Sequence, residues 1–255
     1  MHRTFISCFV LLIGFAMTTA NAQSAHQPFG HIQTVKPYVA LTFDDGPDDK
    51  NVIKLLELFK QEGVKATFYV LGKNVKKFPQ ITKRMAAEGH EVGNHSNTHA
   101  NLPKCESVEK VREEIVTNQT IITDTIGITP VTFRAPYLAH DEKVWTILDE
   151  LKLPSINASK YTSDWDKNKD AAYILEKATE NIKAGDVILM HSWRDETLQV
   201  MPEMIKRIKA AGLEMVTVKT LLESAKNDVH ATCIPTSQPT GHAYLNRYAL
   251  RRVDI

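Results

Sequence analysis

Little in this sequence is present in excess, and each shortage removes a class of function. Its 31 lysines and arginines face 30 acids, and setting aside Arg3 in the leader described below leaves equal numbers. A chain without net charge presents no sign of nucleic-acid or anionic-membrane binding. No glycine-rich phosphate loop of the P-loop type occurs, which counts against phosphoryl transfer. Past the leader, no stretch approaches the ~20 apolar residues that a membrane span needs. Nor is there an internal Pro/Gly/Ser-rich linker, so residues 23–226 are read as one domain long enough for a sizeable core.

Cysteine is scarce, with three in 255 residues. Cys8 lies inside an apolar run from Phe5 to Met17, preceded by His2 and Arg3 and followed by Ala20-Asn21-Ala22. That pattern reads as a secretory signal with a small-residue cleavage site, with an uncleaved N-terminal anchor as the alternative, so residues 1–22 are expected to be removed and the protein exported, to a periplasm or beyond. The position of Cys8 within the run, and not at its end, argues against a lipid anchor. Export makes a disulfide between the two remaining cysteines, Cys105 and Cys233, the expectation, with two buried thiols as the alternative. Residues 227–255 lack clear periodicity and contain Pro235 and Pro239; they are read as a tail lying on the domain.

Between these ends strands and helices alternate. Strand-forming runs occur at 38–43, 64–71, 91–93, 131–133, 155–156, 187–190 and 214–216. Helical spacing occupies 51–62, 78–88, 106–126, 141–151, 171–182 and 200–210. Strict alternation implies a parallel sheet covered by helices, and about seven such units in one domain suggest a barrel with its chemistry at the strand C-termini.

The polar residues gather at those ends. Thr42-Phe43-Asp44-Asp45-Gly46-Pro47 closes the first strand with adjacent carboxylates. In a regular strand they point to opposite faces, so a shared site requires the backbone to leave the pleat, which Gly46-Pro47 permits. Two crowded carboxylates call for a cation or an arginine nearby; an acidic turn is the plainer alternative. An EF-hand is disfavoured, since Asp49 stands where its loop needs glycine.

After the third strand, His95 and His99 stand four apart, a spacing that on a helical turn places two imidazoles side by side. With one Asp they make a three-ligand site with open positions, suited to a catalytic divalent metal and to Zn²⁺ first. Alone, the pair would be a surface accident. Arg134 in Arg134-Ala135-Pro136-Tyr137 is a bidentate partner for a carboxylate, or a structural salt bridge. His191 ends the strand Leu189-Met190-His191, as an acid or as a satisfied core residue. In Ser163-Asp164-Trp165, Asp164 is a helix-initiating acid and Trp165 ordinary packing on the plainest view.

In this order, these clusters resemble the polysaccharide deacetylases of carbohydrate esterase family 4, whose shared unit is the NodB homology domain. The resemblance runs from about Tyr38 to Leu222 and implies a distorted (β/α)7 barrel of the α/β class. It implies that Asp45, His95 and His99 hold the metal, that Asp44 is the general base, and that Arg134 holds Asp44 in place. It further implies that the Tyr137 backbone N–H stabilises an oxyanion and that His191, paired with Asp164, protonates the leaving amine. Leu189 and Trp165 would wall a pocket for the acetyl methyl. The family's fourth motif carries an acid three positions before Asp164, where this chain has Tyr161. The activity implied is hydrolysis of a linear amide C–N bond, removing acetyl from polymers or oligomers of N-acetylglucosamine such as chitin fragments or peptidoglycan glycan, by an enzyme expected to be monomeric. The alternatives are O-deacetylation of acetylated xylan and a non-catalytic sugar-binding module.

Overall fold

The computed structural model describes residues 26–231. The leader, Cys233 and the chain beyond residue 231 lie outside the described residues, and with them the proposed disulfide. Cys105 is half-buried after a 3₁₀ turn at Leu102–Lys104.

Strand β1 (Tyr38–Gly46) is the axis of the molecule. It pairs in parallel with β2 (Thr67–Val70), β5 (Val187–His191) and β6 (Glu214–Met215). Outside β2 lies β3 (Glu91–Asn94), and outside β5 lies β4 (Lys160–Tyr161), so the order is β3-β2-β1-β5-β4. Residues 131–133 and 155–156, read from sequence as strands, contribute only isolated bridges: Asn94 to Phe133, Phe133 to Ser155, and Ile156 to Phe29. The first two carry the pairing from β3 to a segment that becomes β4 a few residues later. The two edges of the sheet are thereby linked, and the strand ends face one cleft.

Among the described residues, eight helices cover the sheet: α1 (Val52–Glu62), α2 (Gly72–Lys77), α3 (Pro79–Ala87), α4 (Val108–Ile126), α5 (Glu142–Leu151), α6 (Ala171–Thr179), α7 (Asp195–Ala210) and α8 (Val218–Ala231). In α1, Val52, Leu55, Leu56 and Phe59 are buried at i, i+3, i+4 and i+7, each worth about 1.5–3 kcal/mol of apolar burial. Ser107, Asp141 and Asp170 cap α4, α5 and α6 by accepting from the N–H three residues on.

The helices differ from the sequence reading. The six-residue α2 and the whole of α8 were not foreseen; α7 begins five residues before Val200; and α8 runs past residue 226, the expected start of the tail.

The pleat of β1 sorts its side chains. Val39, Leu41 and Phe43 pack outward with Leu55, Phe59, Met201 and Ile205 of α1 and α7. Ala40, Thr42 and Asp44 point to the other face, where Arg134 bonds the last two.

Candidate active site

By the pleat, Asp45 would follow Phe43 into the outer core. Instead the register of β1 against β2 slips between Asp44 and Gly46, and Asp45 takes a left-handed conformation with φ 69°. A bulge of this kind re-aims a side chain at the cost of local strain. It is this bulge at Asp45, more than the Gly46-Pro47 pair credited from sequence, that brings both carboxylates to one cleft.

The histidines arrive differently from expectation as well. His95 and His99 are on no helix: they belong to a loop after β3 in which Ser96 (φ 68°) and His99 (φ 69°) are both left-handed. The loop is laced in place. The His99 N–H donates to Ser96 Oγ at 3.1 Å, and the Thr98 N–H to Glu114 Oε2 of α4 at 2.9 Å. The first residue of α2 donates from its N–H to Ser96 O at 3.2 Å. A Cβ on that residue, Gly72, would sit 2.5 Å from Asn97 Oδ1, so the close approach of α2 to the histidine loop requires glycine.

His95 Nδ1 lies 2.7 Å from the Arg134 carbonyl, which only accepts, so Nδ1 carries the proton and Nε2 is left with a lone pair. That Nε2 lies 3.5 Å from Asp45 Oδ1, and His99 Nε2 lies 3.2 Å from the same oxygen. Donor atoms of all three residues fall within 4.8 Å of one another. Asp45 Oδ1 is shielded from solvent yet has no hydrogen-bond partner. A buried lone-pair oxygen facing two imidazole nitrogens fits a divalent cation. Burial opposes charge on Asp45, but the neighbouring imidazoles of His95, His191 and His99 outweigh it and hold the carboxyl well below its usual range. Burial pushes the His99 imidazole down, favouring the neutral form a metal needs.

Arg134 is buried and fully engaged. Nη1 donates to Asp44 Oδ1 and to Thr42 Oγ1, each at 2.7 Å. Nη2 donates to Asn157 O at 2.8 Å and Nε to Ile156 O at 3.2 Å. The expected bidentate contact is therefore a single one, and Asp44 Oδ2 is free to face the cleft. Under the guanidinium lies the Tyr69 ring, 4.3 Å from centroid to Cζ.

On the opposite wall, β5 ends at His191. Its Nδ1 bonds Asp164 Oδ1 at 2.7 Å, and its backbone N–H donates to Asp164 Oδ2 at 2.7 Å. Thr197 of α7 donates to that Oδ2 at 2.7 Å. Asp164 is thus a buried orienter and initiates no helix; Asp170 does that for α6. His191 Nε2 faces the cleft, 3.9 Å from Asp45 Oδ2. Burial opposes charge on His191, but the bond and charge of Asp164, followed by Asp44 and Asp45, prevail and raise its pKa.

Asp44, Asp45, His95, His99 and His191 open into a cleft of about 720 Å³, which Ala135, Leu189 and four exposed aromatic residues also line: Tyr137, Tyr161, Trp165 and Trp193. Tyr137 is left-handed (φ 58°), its ring 4.7 Å from that of His99. Trp165 is 62% exposed, so ordinary core packing does not account for it. Tyr161 donates its hydroxyl to Asn157 Oδ1 at 2.8 Å.

The sequence pattern described as polysaccharide deacetylase matches residues 31–156. A peptidoglycan-N-acetylglucosamine deacetylase of Bacillus cereus is 36% identical over 197 residues, 75% of this chain and 70% of its own length. The chain belongs to the polysaccharide deacetylase family. A peptidoglycan-N-acetylglucosamine deacetylase of Listeria monocytogenes is 37% identical over 183 residues, which span 72% of this chain but only 38% of that protein. A solved peptidoglycan N-acetylglucosamine deacetylase superposes with a TM-score of 0.72 at 35% identity, covering 75% of this chain and 91% of that one. The α/β fold with its parallel sheet is the fold of this deacetylase family.

Within that frame the structure brings together all ten residues singled out from sequence. Two it adds are Thr197, for which sequence held no signal, and Trp193, whose position two residues past a strand-end histidine was one.

Proposed function

We propose that this protein is a metal-dependent hydrolase that removes acetyl groups from N-acetylglucosamine-containing polysaccharide or oligosaccharide, chitin-like or peptidoglycan glycan. It is proposed to act as an exported protein after loss of residues 1–22, with Zn²⁺ at Asp45, His95 and His99. The observation that carries the reading is that Asp44 and His191, register partners at the ends of β1 and β5, border the same cation pocket. One carboxylate oxygen there is free to accept a proton, and one imidazole nitrogen is poised to give one.

A divalent cation held by the three ligands supplies a positive charge that polarises an acetyl carbonyl and makes water a stronger acid. Asp44 Oδ2 is the general base, oriented because Oδ1 is taken by Arg134. The backbone N–H of Tyr137 is the oxyanion donor. His191 protonates the departing nitrogen from Nε2, and Asp164 keeps its proton on Nδ1. Trp165 and Leu189 bound the methyl of the acetyl group.

An amine leaves poorly unless protonated, whereas a sugar hydroxyl leaves an ester more easily, so His191 discriminates the two chemistries. Acetate release is to be measured on chitin oligomers, peptidoglycan and acetylxylan, with wild type and His191→Ala. Preference for the amides and a collapse of turnover in His191→Ala are expected. Faster release from acetylxylan, with little harm from the substitution, would point to the O-deacetylase instead.

A further inference from the structure

The loop after β5 holds one residue whose place is set by its neighbours. Ser192 is buried and donates from Oγ to Asp48 Oδ2 at 2.7 Å. Arg194 is buried, with Nη2 3.1 Å from Glu196 Oε2. Asp195 accepts from Lys50 Nζ at 2.6 Å and from Asn51 Nδ2 at 3.0 Å. The loop is thus tied on both sides to the turn that follows the Asp44-Asp45 strand. Between its buried neighbours, Trp193 projects into the cleft and remains 39% exposed.

Its ring lies against His191, centroids 5.3 Å apart, and its indole N–H donates to Asp45 Oδ2 at 3.3 Å. The two oxygens of Asp45 therefore have different partners. Oδ1 faces His95 and His99, while Oδ2 is held by Trp193. A carboxylate free to rotate can offer both oxygens to a cation and use up a position that a water or a substrate needs. An indole N–H is a donor only, so it selects the arrangement in which Oδ2 stays outside.

We propose that Trp193 is a positioning residue that fixes the Asp45 carboxylate through Oδ2, so that Oδ1 alone is presented to the metal. The inference rests on the assignment of Asp45, His95 and His99 as the cation site. It differs from a sugar-stacking role in one respect: it depends on the indole N–H and not on the ring face.

Trp193→Phe separates the two, since it keeps an aromatic ring and removes the donor. Zinc affinity of the metal-free protein is to be measured by competition with a chromophoric chelator, alongside kcat, KM and the melting temperature without metal. Loss of an outer hydrogen bond to a ligand typically weakens metal binding about 10–100-fold. For Trp193→Phe the lower end, about 10-fold, is expected, with KM close to wild type and an unchanged melting temperature of the metal-free protein. Trp193→Ala is expected to show the same loss of zinc affinity together with a raised KM. Zinc binding by Trp193→Phe equal to wild type would overturn the proposal, whatever its KM. Wild type and His95→Ala are the controls: tight zinc binding in the first and its loss in the second keep the site assignment standing even if Trp193 proves irrelevant. Wild-type protein that binds no zinc defeats both.

Discussion

Arg134 and Asp44 form a buried ion pair, with Nη1 2.7 Å from Oδ1 and side-chain exposures of 0% and 5%. Every other donation from the guanidinium goes to Thr42 or to a backbone carbonyl, so the pair also ties β1 to the segments at 134 and 156–157.

Breaking this pair from either side leaves a buried charge without its partner. Arg134→Met is expected to cost about 3–5 kcal/mol of stability, read as a fall in the urea midpoint. Arg134→Lys keeps the charge but not the fork of donors, and is expected to fall between Arg134→Met and wild type.

The two adjacent acids should separate by phenotype. Asp44→Asn is expected to lower turnover about 10²–10⁴-fold while the protein still takes up one equivalent of divalent metal. Asp45→Asn is expected to lose the metal. Elemental analysis of protein purified without chelators distinguishes them, and equal metal loss in both variants would require the roles to be reassigned.

The protonated form of His191 is the useful one, and Asp164 is the chief group raising its pKa against burial. Activity should therefore decline as pH rises through that raised value. Asp164→Asn removes the charge, lowers the pKa and moves the basic limb of the kcat profile to lower pH. A basic limb that stays in place in Asp164→Asn would show that His191 is not the group being titrated.

Away from the cleft, His90 provides a stability test. Burial, followed by the charge of Lys65, holds its imidazole down from 6.5 to about 4, and Nδ1 accepts from the Ala66 N–H at 3.1 Å. Between those values the unfolded chain binds a proton that the folded chain refuses, so stability falls as pH drops from 6.5 towards 4. At about 1.4 kcal/mol for each pH unit crossed, the loss is on the order of 3 kcal/mol. His90→Gln should lose less stability than wild type over this window in urea titrations at successive pH values.

What the sequence disclosed follows from the range of the forces involved. Asp44, Asp45 and His191 were legible because they end strands whose apolar runs are a local pattern, and His95, His99 and Arg134 because they follow strand-forming stretches within a few residues. The bulge at Asp45 was not, because a register slip is fixed by pairing with β2, residues distant in the chain. The histidine pair was read on a helical turn because spacing of four suits one, yet bonds to Glu114 and α2 stabilise a different loop. The short α2 carries too few residues for periodicity to show. Tyr69 illustrates a silent dependence: its ring supports Arg134 only because Gly93, whose Cβ would lie 2.5 Å from Cε1, leaves room for it. Thr197 reaches Asp164 only once α7 begins at Asp195 and not at Val200.

The most direct test of the proposed chemistry is acetate release from N-acetylglucosamine oligomers by protein that has been stripped with a chelator and then reconstituted. Release by the purified protein, its loss on complete removal of metal, and its return with one equivalent of Zn²⁺ are expected. Undiminished release from fully metal-free protein, or none from protein loaded with metal at Asp45, His95 and His99, would contradict the assignment.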